Sequence, residues 1–178
     1  MVNNTPNPDS NSLIIYHHNI CGLMNKTDEL ISSMFPVNPH ILCITEHHLK
    51  DTEINQINVE GFKLCTAYSR KTMKKGGVCI FTQNGLICSK IDLKKYCSDQ
   101  DIDICMINLQ TTYTRLHIMV VYRAPTGDFN LFLNRLDDSI KSIYKTKSNL
   151  MICGDINTDY LSENNRKKNS IQCCKHTI

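Results

Sequence analysis

The stretch Leu150-Met151-Ile152-Cys153-Gly154-Asp155-Ile156-Asn157 decides how the rest of the sequence is interpreted. Four consecutive apolar residues, after Ser148-Asn149 and before Gly154, predict a short strand that is buried on both faces. Because α/β proteins place their chemistry at the carboxyl ends of strands, Asp155 and Asn157 are candidates for a functional site. Taken alone, the Asp-x-Asn tripeptide is more typical of a turn that caps the next element.

The composition indicates one soluble globular domain. Of 178 residues, 41% are apolar and 21% charged, and the net charge of +3 permits an anionic partner without requiring one. Ten cysteines are many, but four of them lie inside apolar runs and no Cys-x-x-Cys or zinc-type spacing occurs. We therefore expect a reducing, intracellular compartment. No secretory signal or membrane-spanning apolar run is evident, so we expect no membrane partner.

The order of the predicted elements is that of a mixed α/β sandwich. Strands are predicted at 13–18, 40–45, 62–67, 78–81, 86–91, 102–109, 116–121 and 150–153, and helices at 26–35 and 128–144. Asn84-Gly85 predicts a hairpin between the fourth and fifth strands, and Thr126-Gly127-Asp128 offers an N-cap to the second helix. We expect a disordered lead-in at 1–12, one domain at 13–161 and a polar basic tail at 162–178.

Polar residues follow several of the predicted strands. They are Asn19, Glu46, Tyr122 and the Asp155/Asn157 pair. Each has a plain interpretation when taken singly, as a turn former, a solvated acid or an amphipathic edge residue. They form one site only if their strands lie side by side, and we expect them to converge.

Five segments around these residues resemble motifs of the endonuclease/exonuclease/phosphatase superfamily. The similarity is closest to the apurinic-type endonuclease domain of non-LTR (LINE-type) retrotransposons. The segments occur in the family's order within roughly 13–161, and they are His18-Asn19-Ile20-Cys21-Gly22-Leu23, Ile44-Thr45-Glu46-His47-His48-Leu49, Lys75-Gly76-Gly77-Val78-Cys79-Ile80-Phe81, Val121-Tyr122-Arg123-Ala124-Pro125 and Ile152-Cys153-Gly154-Asp155-Ile156-Asn157.

This resemblance implies a DNase-like, four-layer α/β sandwich, in which two facing mixed sheets are flanked by helices. It implies phosphodiester cleavage with Mg²⁺ (or Mn²⁺), held by Glu46, with Asn19 supporting the metal and phosphate region. Mg²⁺ prefers oxygen ligands and is usually held by one or two carboxylates, which agrees with this assignment. His47 and His48 are expected beside the site rather than in it, and His17 and His117 are expected to be plain strand residues.

The resemblance also implies the remaining roles. Tyr122 would lie at the scissile phosphate, Asp155 would orient or activate the attacking water, and Asn157 would hydrogen-bond a phosphate oxygen. Phosphoryl transfer needs charge neutralisation and alignment more than covalent participation, and these groups supply both.

Two departures from the family pattern matter. The family completes its site with a Ser-Asp-His segment near the carboxyl end of the domain, and this chain is expected to be incomplete there, because His176 has no preceding aspartate. Loss of a catalytic imidazole would cost about 10²–10⁴-fold in rate. Cys21 stands where repair-type relatives often carry an acid near the metal.

The sequence predicts a nuclear, metal-dependent DNA endonuclease of retrotransposon origin, with no small-molecule cofactor. Phosphate contacts are predicted for Arg70, Lys71, Lys74, Lys75 and Arg123, although solvated lysines that merely aid solubility explain the basic loop equally well. One alternative is a catalytically inactive, truncated remnant or a weak nucleic-acid-binding module. Another is a relative that acts on a smaller phosphodiester or phosphomonoester.

Overall fold

The computed structural model describes residues 12–110, 115–144 and 149–158. The predicted lead-in up to residue 11 and the predicted tail, with its His176, lie outside these ranges. The described strands are β1 (Ile15–Asn19), β2 (Ile41–Thr45), β3 (Phe62–Tyr68), β4 (Val78–Gln83), β5 (Cys88–Ile91), β6 (Asp103–Gln110), β7 (Arg115–Tyr122) and β8 (Asn149–Asp155). The described α-helices are α1 (Thr27–Met34), α2 (Asp51–Ile54) and α3 (Phe129–Ile143), and a 3₁₀ turn spans Lys94–Tyr96.

The strands form two four-stranded mixed sheets. Their orders are β1-β2-β4-β3 and β5-β6-β7-β8. β1 is parallel to β2 and β8 is parallel to β7, whereas the other pairs are antiparallel. Each sheet thus carries one parallel pair, and in each pair both strands end at the same edge.

The sheets face each other across a shared core, and helices cover their outer faces. In β4, Val78 and Ile80 point into the core between the sheets, whereas Cys79 and Phe81 pack toward α1. This alternation follows from the two-residue period of a strand, which sends successive side chains to opposite faces. The predicted α/β sandwich of two facing mixed sheets is confirmed.

Helix α3 forms where its apolar period predicts it. Asp128 is the N-cap, and its Oδ1 accepts the Leu131 N–H at 2.9 Å. Phe132, Leu136 and Ile140 recur at helical spacing and pack on the outer face of the second sheet. Among the described residues, no helix is long and apolar enough to cross a membrane.

The predicted hairpin between the fourth and fifth strands is wrong. β5 pairs with β6 in the second sheet, while β4 is flanked by β2 and β3 in the first. Because both edges of β4 are occupied, β5 has no partner there and the chain crosses to the facing sheet. The Asn84-Gly85 turn is present, but it redirects the chain instead of closing a two-stranded hairpin.

The last described strand is not buried on both faces, as the sequence had predicted. Met151 is 43% and Ile152 is 40% exposed, because β8 lies at the end of its sheet and pairs, among the described strands, with β7 alone. Gly154 has a φ of +147°, and a Cβ there would overlap the Val121 carbonyl oxygen. Glycine therefore permits the close approach of β8 to β7 directly before Asp155.

Candidate active site at the carboxyl ends of the strands

The two parallel strand pairs bring the candidate residues to one edge of the molecule. Asn19 ends β1 and Glu46 follows β2 in the first sheet. Tyr122 and Asp155 end β7 and β8 in the second sheet, where they are paired in register. The carboxyl ends of parallel strands share an edge, so each sheet contributes two polar side chains to the same place.

A single amide connects the two sheets at this edge. Asn19 Nδ2 donates to Glu46 Oε1 at 2.8 Å and to Asp155 Oδ2 at 2.9 Å. Glu46 and Asp155 are 109 positions apart in the chain but share this one donor, so the predicted convergence of the strand-end residues is observed. The amide nitrogen faces the carboxylates, and the amide oxygen accepts the Cys21 N–H at 3.2 Å.

Glu46 is held by three neighbours. Besides the bond from Asn19, its Oε2 lies 3.2 Å from His48 Nε2, and its carboxylate interacts with the Tyr122 phenol. Burial and the adjacent Glu46 carboxylate raise the pKa of Tyr122 above its ordinary value. The phenol therefore keeps its proton at neutral pH and is a hydrogen-bond donor in the site.

Asp155 and Asn157 are fixed by the loop that leaves β8. Asp155 Oδ1 accepts the Asn157 N–H at 2.9 Å, and Asn157 Nδ2 donates to the Arg123 carbonyl at 2.6 Å. Each oxygen of Asp155 thus accepts one hydrogen bond, from Asn19 or from the loop. The contact of Asn157 with a phosphate oxygen stays a prediction.

Arg123 stabilises this loop from inside the protein. It is fully buried, and its guanidinium donates to the carbonyls of Ile156 at 2.9 Å, Asn157 at 2.7 Å and Gly127 at 2.8 Å. A buried side chain whose guanidinium binds backbone carbonyls cannot reach a DNA phosphate. The predicted contact of Arg123 with nucleic acid is therefore corrected.

The predicted contact of Arg70 with DNA is wrong for the same reason, because this side chain is also buried. It is 5% exposed, and its Nε donates to both carboxylate oxygens of Asp103 at 2.9 Å. The guanidinium carbon also lies 5.4 Å from the centroid of the Tyr122 ring. Burial raises the pKa of Asp103 to about 6 against the opposing effect of Arg70, so the pair is ionised at neutral pH. Arg70 thus supports Tyr122 from behind and does not face solvent.

The lysines of the basic loop do face solvent. Lys71, Lys74 and Lys75 are exposed, and Gly76, which follows them, accepts the His48 N–H at 2.8 Å through its carbonyl. The loop therefore ends beside the site. Contacts between these lysines and DNA stay a prediction.

The backbone of the site adopts an uncommon conformation at several non-glycine residues. The φ angle is +46° at Cys21, +56° at Glu46, +58° at His48 and +48° at Asn157. Such positions cost about 1–3 kcal/mol each and persist where the surroundings impose them. Here the segments after β1 and β2 are joined by backbone bonds, including one of 2.7 Å from Gly22 N to the Glu46 carbonyl.

The histidines near the site differ in function. His47 is fully buried, its Nε2 donates to the Tyr68 carbonyl at 3.1 Å, and its Nδ1 accepts the Leu49 N–H at 3.0 Å. Burial lowers the pKa of His47 to about 4, so the ring is neutral and structural. His17 is a half-buried strand residue 3.4 Å from Thr45 Oγ1, and burial lowers its pKa.

His48 was expected beside the site, and Cys21 was noted only as a departure from the family pattern near the metal. Ligand atoms of Cys21, Glu46 and His48 all lie within 4.8 Å of one another, a grouping that could hold a metal ion. The signals for them were weak: a cysteine at a position where relatives carry an acid, and a histidine two residues after Glu46. Only the folded turns after β1 and β2 bring the three together.

No protein-family model matches this sequence, and the search of curated proteins found no match to it. Solved structures do share its fold. The endonuclease domain of TRAS1, a telomere-specific non-LTR retrotransposon, superposes with a TM-score of 0.70 at 13% identity, over 93% of this chain and 72% of that one. The AP endonuclease LMAP from Leishmania major superposes with a TM-score of 0.68 at 13% identity, over 93% of this chain and 66% of that one. TDP2 of D. rerio, complexed with a single-strand DNA product, superposes with a TM-score of 0.61 at 12% identity, over 90% of this chain and 65% of that one.

These neighbours belong to the endonuclease/exonuclease/phosphatase superfamily, and the chain has the fold of that superfamily, as its motifs predicted. At 65–72%, it spans about two thirds of the length of these solved chains. At 12–13% identity, the likeness establishes the fold and leaves the chemistry to be argued from the side chains.

Proposed function

We propose that this chain is a divalent-metal-dependent phosphodiesterase that nicks DNA, an endonuclease domain of retrotransposon origin. The observation that carries the proposal is the Asn19 amide, which joins Glu46 and Asp155 from opposite sheets into one cluster. Two carboxylates, an amide and a protonated phenol at one edge are the groups that phosphodiester hydrolysis needs. Nuclease neighbours such as the TRAS1 domain support the same chemistry.

The oxygen donors at this edge fit Mg²⁺. Glu46 and Asp155 both accept from the Asn19 amide, and Glu46 would hold the ion, as its side chain is still 16% exposed. When bound, the ion would neutralise charge on the phosphoryl group and polarise it. Because the nitrogen of Asn19 faces the carboxylates, we assign Asn19 the role of orienting the two acids rather than that of a ligand.

The protein's own groups would perform the remaining steps. Asp155, held by Asn19 and by the Asn157 N–H, is oriented to accept a proton from an attacking water. Tyr122 keeps its proton and can donate a hydrogen bond to a phosphate oxygen, and the Asn157 amide would provide a second donor. Both orienting contacts of Asp155 come from strand ends and strand exits, which are rigid positions.

The exposed lysines beside the site support nucleic acid as the substrate. Lys71, Lys74 and Lys75 precede the Gly76 contact to His48, so DNA phosphates on this loop would lie near Glu46. As a retrotransposon endonuclease, the protein would act on chromosomal DNA in the nucleus.

Nicking of supercoiled plasmid in Mg²⁺ tests the proposal. We expect Glu46→Gln and Asp155→Asn each to lower the rate by about 10²-fold or more. Glu60→Gln is the matched control, because Glu60 is exposed and lies next to the start of β3, at the far end of the sheet. Equal rates in all variants would remove the assigned site. A wild-type chain that shifts DNA in a salt-dependent manner without nicking it would favour a binding module.

A further inference from the structure

We propose that the metal position at Glu46 is a Zn²⁺ site, formed by Cys21 Sγ, the Glu46 carboxylate and His48 Nε2. These three ligand types lie within 4.8 Å of one another. The inference deepens the proposed function and rests on it for the use of Glu46 as a ligand, but it changes the ion that the site prefers.

The chemistry of the donors separates this set from an oxygen-only site. Thiolate and imidazole are ligands that select Zn²⁺ and similar ions, whereas Mg²⁺ takes oxygen donors and keeps several waters. Of the three ligands, only Glu46 offers oxygen. At equal concentration, a Zn²⁺-class ion should therefore occupy Glu46 in preference to Mg²⁺.

The geometry requires little adjustment. With bonds of about 2.0–2.3 Å, ligand atoms around a tetrahedral Zn²⁺ lie about 3.3–3.8 Å apart. His48 Nε2 and Glu46 Oε2 are already 3.2 Å apart, and the largest separation in the group, 4.8 Å at most, needs to close by about 1 Å. Cys21 is exposed, so its side chain has room to move.

The backbone presents the three side chains from two adjoining segments. Gly22 N donates to the Glu46 carbonyl at 2.7 Å, which holds the turn after β1 against the turn after β2. The His48 ring is placed against Gly22, where a built Cβ would lie 3.4 Å from Nδ1, and this leaves Nε2 directed at Glu46. Three protein ligands leave one position of a tetrahedral ion open, which is the pattern of catalytic rather than structural zinc sites.

Cobalt substitution tests the site without any nucleic acid. We expect one equivalent of Co²⁺ to give a thiolate-to-metal charge-transfer band in the near ultraviolet, which Zn²⁺ removes and millimolar Mg²⁺ does not. Cys21→Ser should abolish the band and weaken Zn²⁺ binding by at least about 100-fold, since even the loss of a supporting partner costs 10–100-fold. His48→Asn should weaken binding as well, which gives a second variant if the first folds poorly.

Cys88→Ser is the matched control. Cys65 and Cys88 have sulfur atoms 2.7 Å apart and are a competing thiol pair for a soft metal among the described residues. The band should persist in Cys88→Ser. A band that is lost in Cys88→Ser and kept in Cys21→Ser, or Mg²⁺ that displaces Co²⁺ as readily as Zn²⁺ does, would overturn the inference. Because the readout is spectroscopic, a chain that binds Zn²⁺ but nicks no DNA would refute the proposed function and leave the zinc site standing.

Discussion

Two aspartates flank Tyr122 in the second sheet, one strand to either side. Asp155 on β8 and Asp103 on β6 are both in register with it, yet their surroundings are opposite. Asp155 is partly exposed and, with Asn19 and Glu46, forms what we call the open cluster. Asp103 is fully buried and, with Arg70, forms the closed cluster, where it also accepts the Gly77 N–H at 2.8 Å.

The difference shows that neighbours, not residue type, decide what a carboxylate does. In the closed cluster the charge of Asp103 is balanced by Arg70, and no solvent reaches its oxygens. In the open cluster two acids share one neutral amide, and in the described contacts neither is paired with an arginine or lysine; the His48 ring lies beside Glu46, at 3.2 Å. A metal ion or a proton is therefore the natural counter-charge. Substitutions should therefore reduce activity in one cluster and stability in the other.

The largest effect on stability is expected from Asp103→Ala. It leaves the Arg70 guanidinium buried without its partner, and such a loss costs about 3–5 kcal/mol. Asp155→Ala, in the open cluster, should change the free energy of unfolding by less than about 1 kcal/mol. Urea unfolding of both variants measures the contrast, and equal destabilisation would show that the two clusters do not differ in this way.

Gly154→Ala sharpens the comparison by moving the open cluster without changing its residues. The new Cβ would overlap the Val121 carbonyl, so β8 must shift from β7 and displace Asp155. We expect the free energy of unfolding to fall by about 1–3 kcal/mol. The nicking rate should fall well below that of the control variant. The control is Gly85→Ala, because Gly85 also has a positive φ, of +94°, but has nothing within 4 Å of the built Cβ. Full nicking activity in Gly154→Ala would show that Asp155 need not be held in place.

Asp99 is partly buried and lies outside both clusters, and its ionisation makes the stability of the protein depend on pH. Partial burial alone would raise its pKa, but hydrogen bonds from Thr72, Tyr68 and Lys71 outweigh it and lower the pKa to about 2, from 3.8. A carboxyl with a depressed folded-state pKa stabilises above the unfolded value, so this contribution is present above pH 3.8 and is lost as the pH falls toward 2. With solvent screening it should amount to about 1 kcal/mol.

Unfolding of wild type and Asp99→Asn at pH 6 and pH 2.5 checks this prediction. The wild type should be more stable than Asp99→Asn at pH 6, and the difference between their free energies of unfolding should shrink at pH 2.5. A difference that is constant with pH would mean that ionisation of Asp99 does not stabilise the basic loop.

The smallest effect is expected from Lys74→Ala. Removal of one phosphate contact should lower the slope of log K against log salt by about 1, with stability unchanged. Lys63→Ala is the control, because Lys63 is exposed near the start of β3, far from the strand ends of the site. Equal slopes for both variants would place the DNA elsewhere.

The sequence predicted the strands and the residues at their ends well, because both are local properties. Apolar runs followed by polar residues marked Asn19, Glu46 and Asp155, and the parallel pair in each of the two facing sheets brings them together. The crossing of β5 to the other sheet was missed, because the Asn84-Gly85 signal describes a turn and not the strand that pairs after it. The exposure of Met151 was missed because an apolar run does not reveal whether its strand lies inside a sheet or at its end.

The two arginines mark a second limit of the sequence. Arg70 and Lys71 look alike in a basic run, but one is buried on Asp103 and the other faces solvent. The Arg123 guanidinium donates its hydrogen bonds to backbone carbonyls, and no pattern of side chains in the sequence predicts such contacts. His48 lies against Glu46 in a turn where both residues have a positive φ, a backbone conformation that the sequence did not indicate. Each of these outcomes depends on tertiary neighbours rather than on local spacing.

A double-mutant cycle on plasmid nicking tests most directly whether the two sheets form one catalytic unit at Asn19. The rates of wild type, Glu46→Gln, Asp155→Asn and the double variant are compared under one set of conditions. Residues that act as a unit are strongly non-additive, so the double variant should be within about tenfold of the weaker single variant. Losses that multiply, with the double variant slower by the product of the two single effects, would show that Glu46 and Asp155 act independently and would contradict the account.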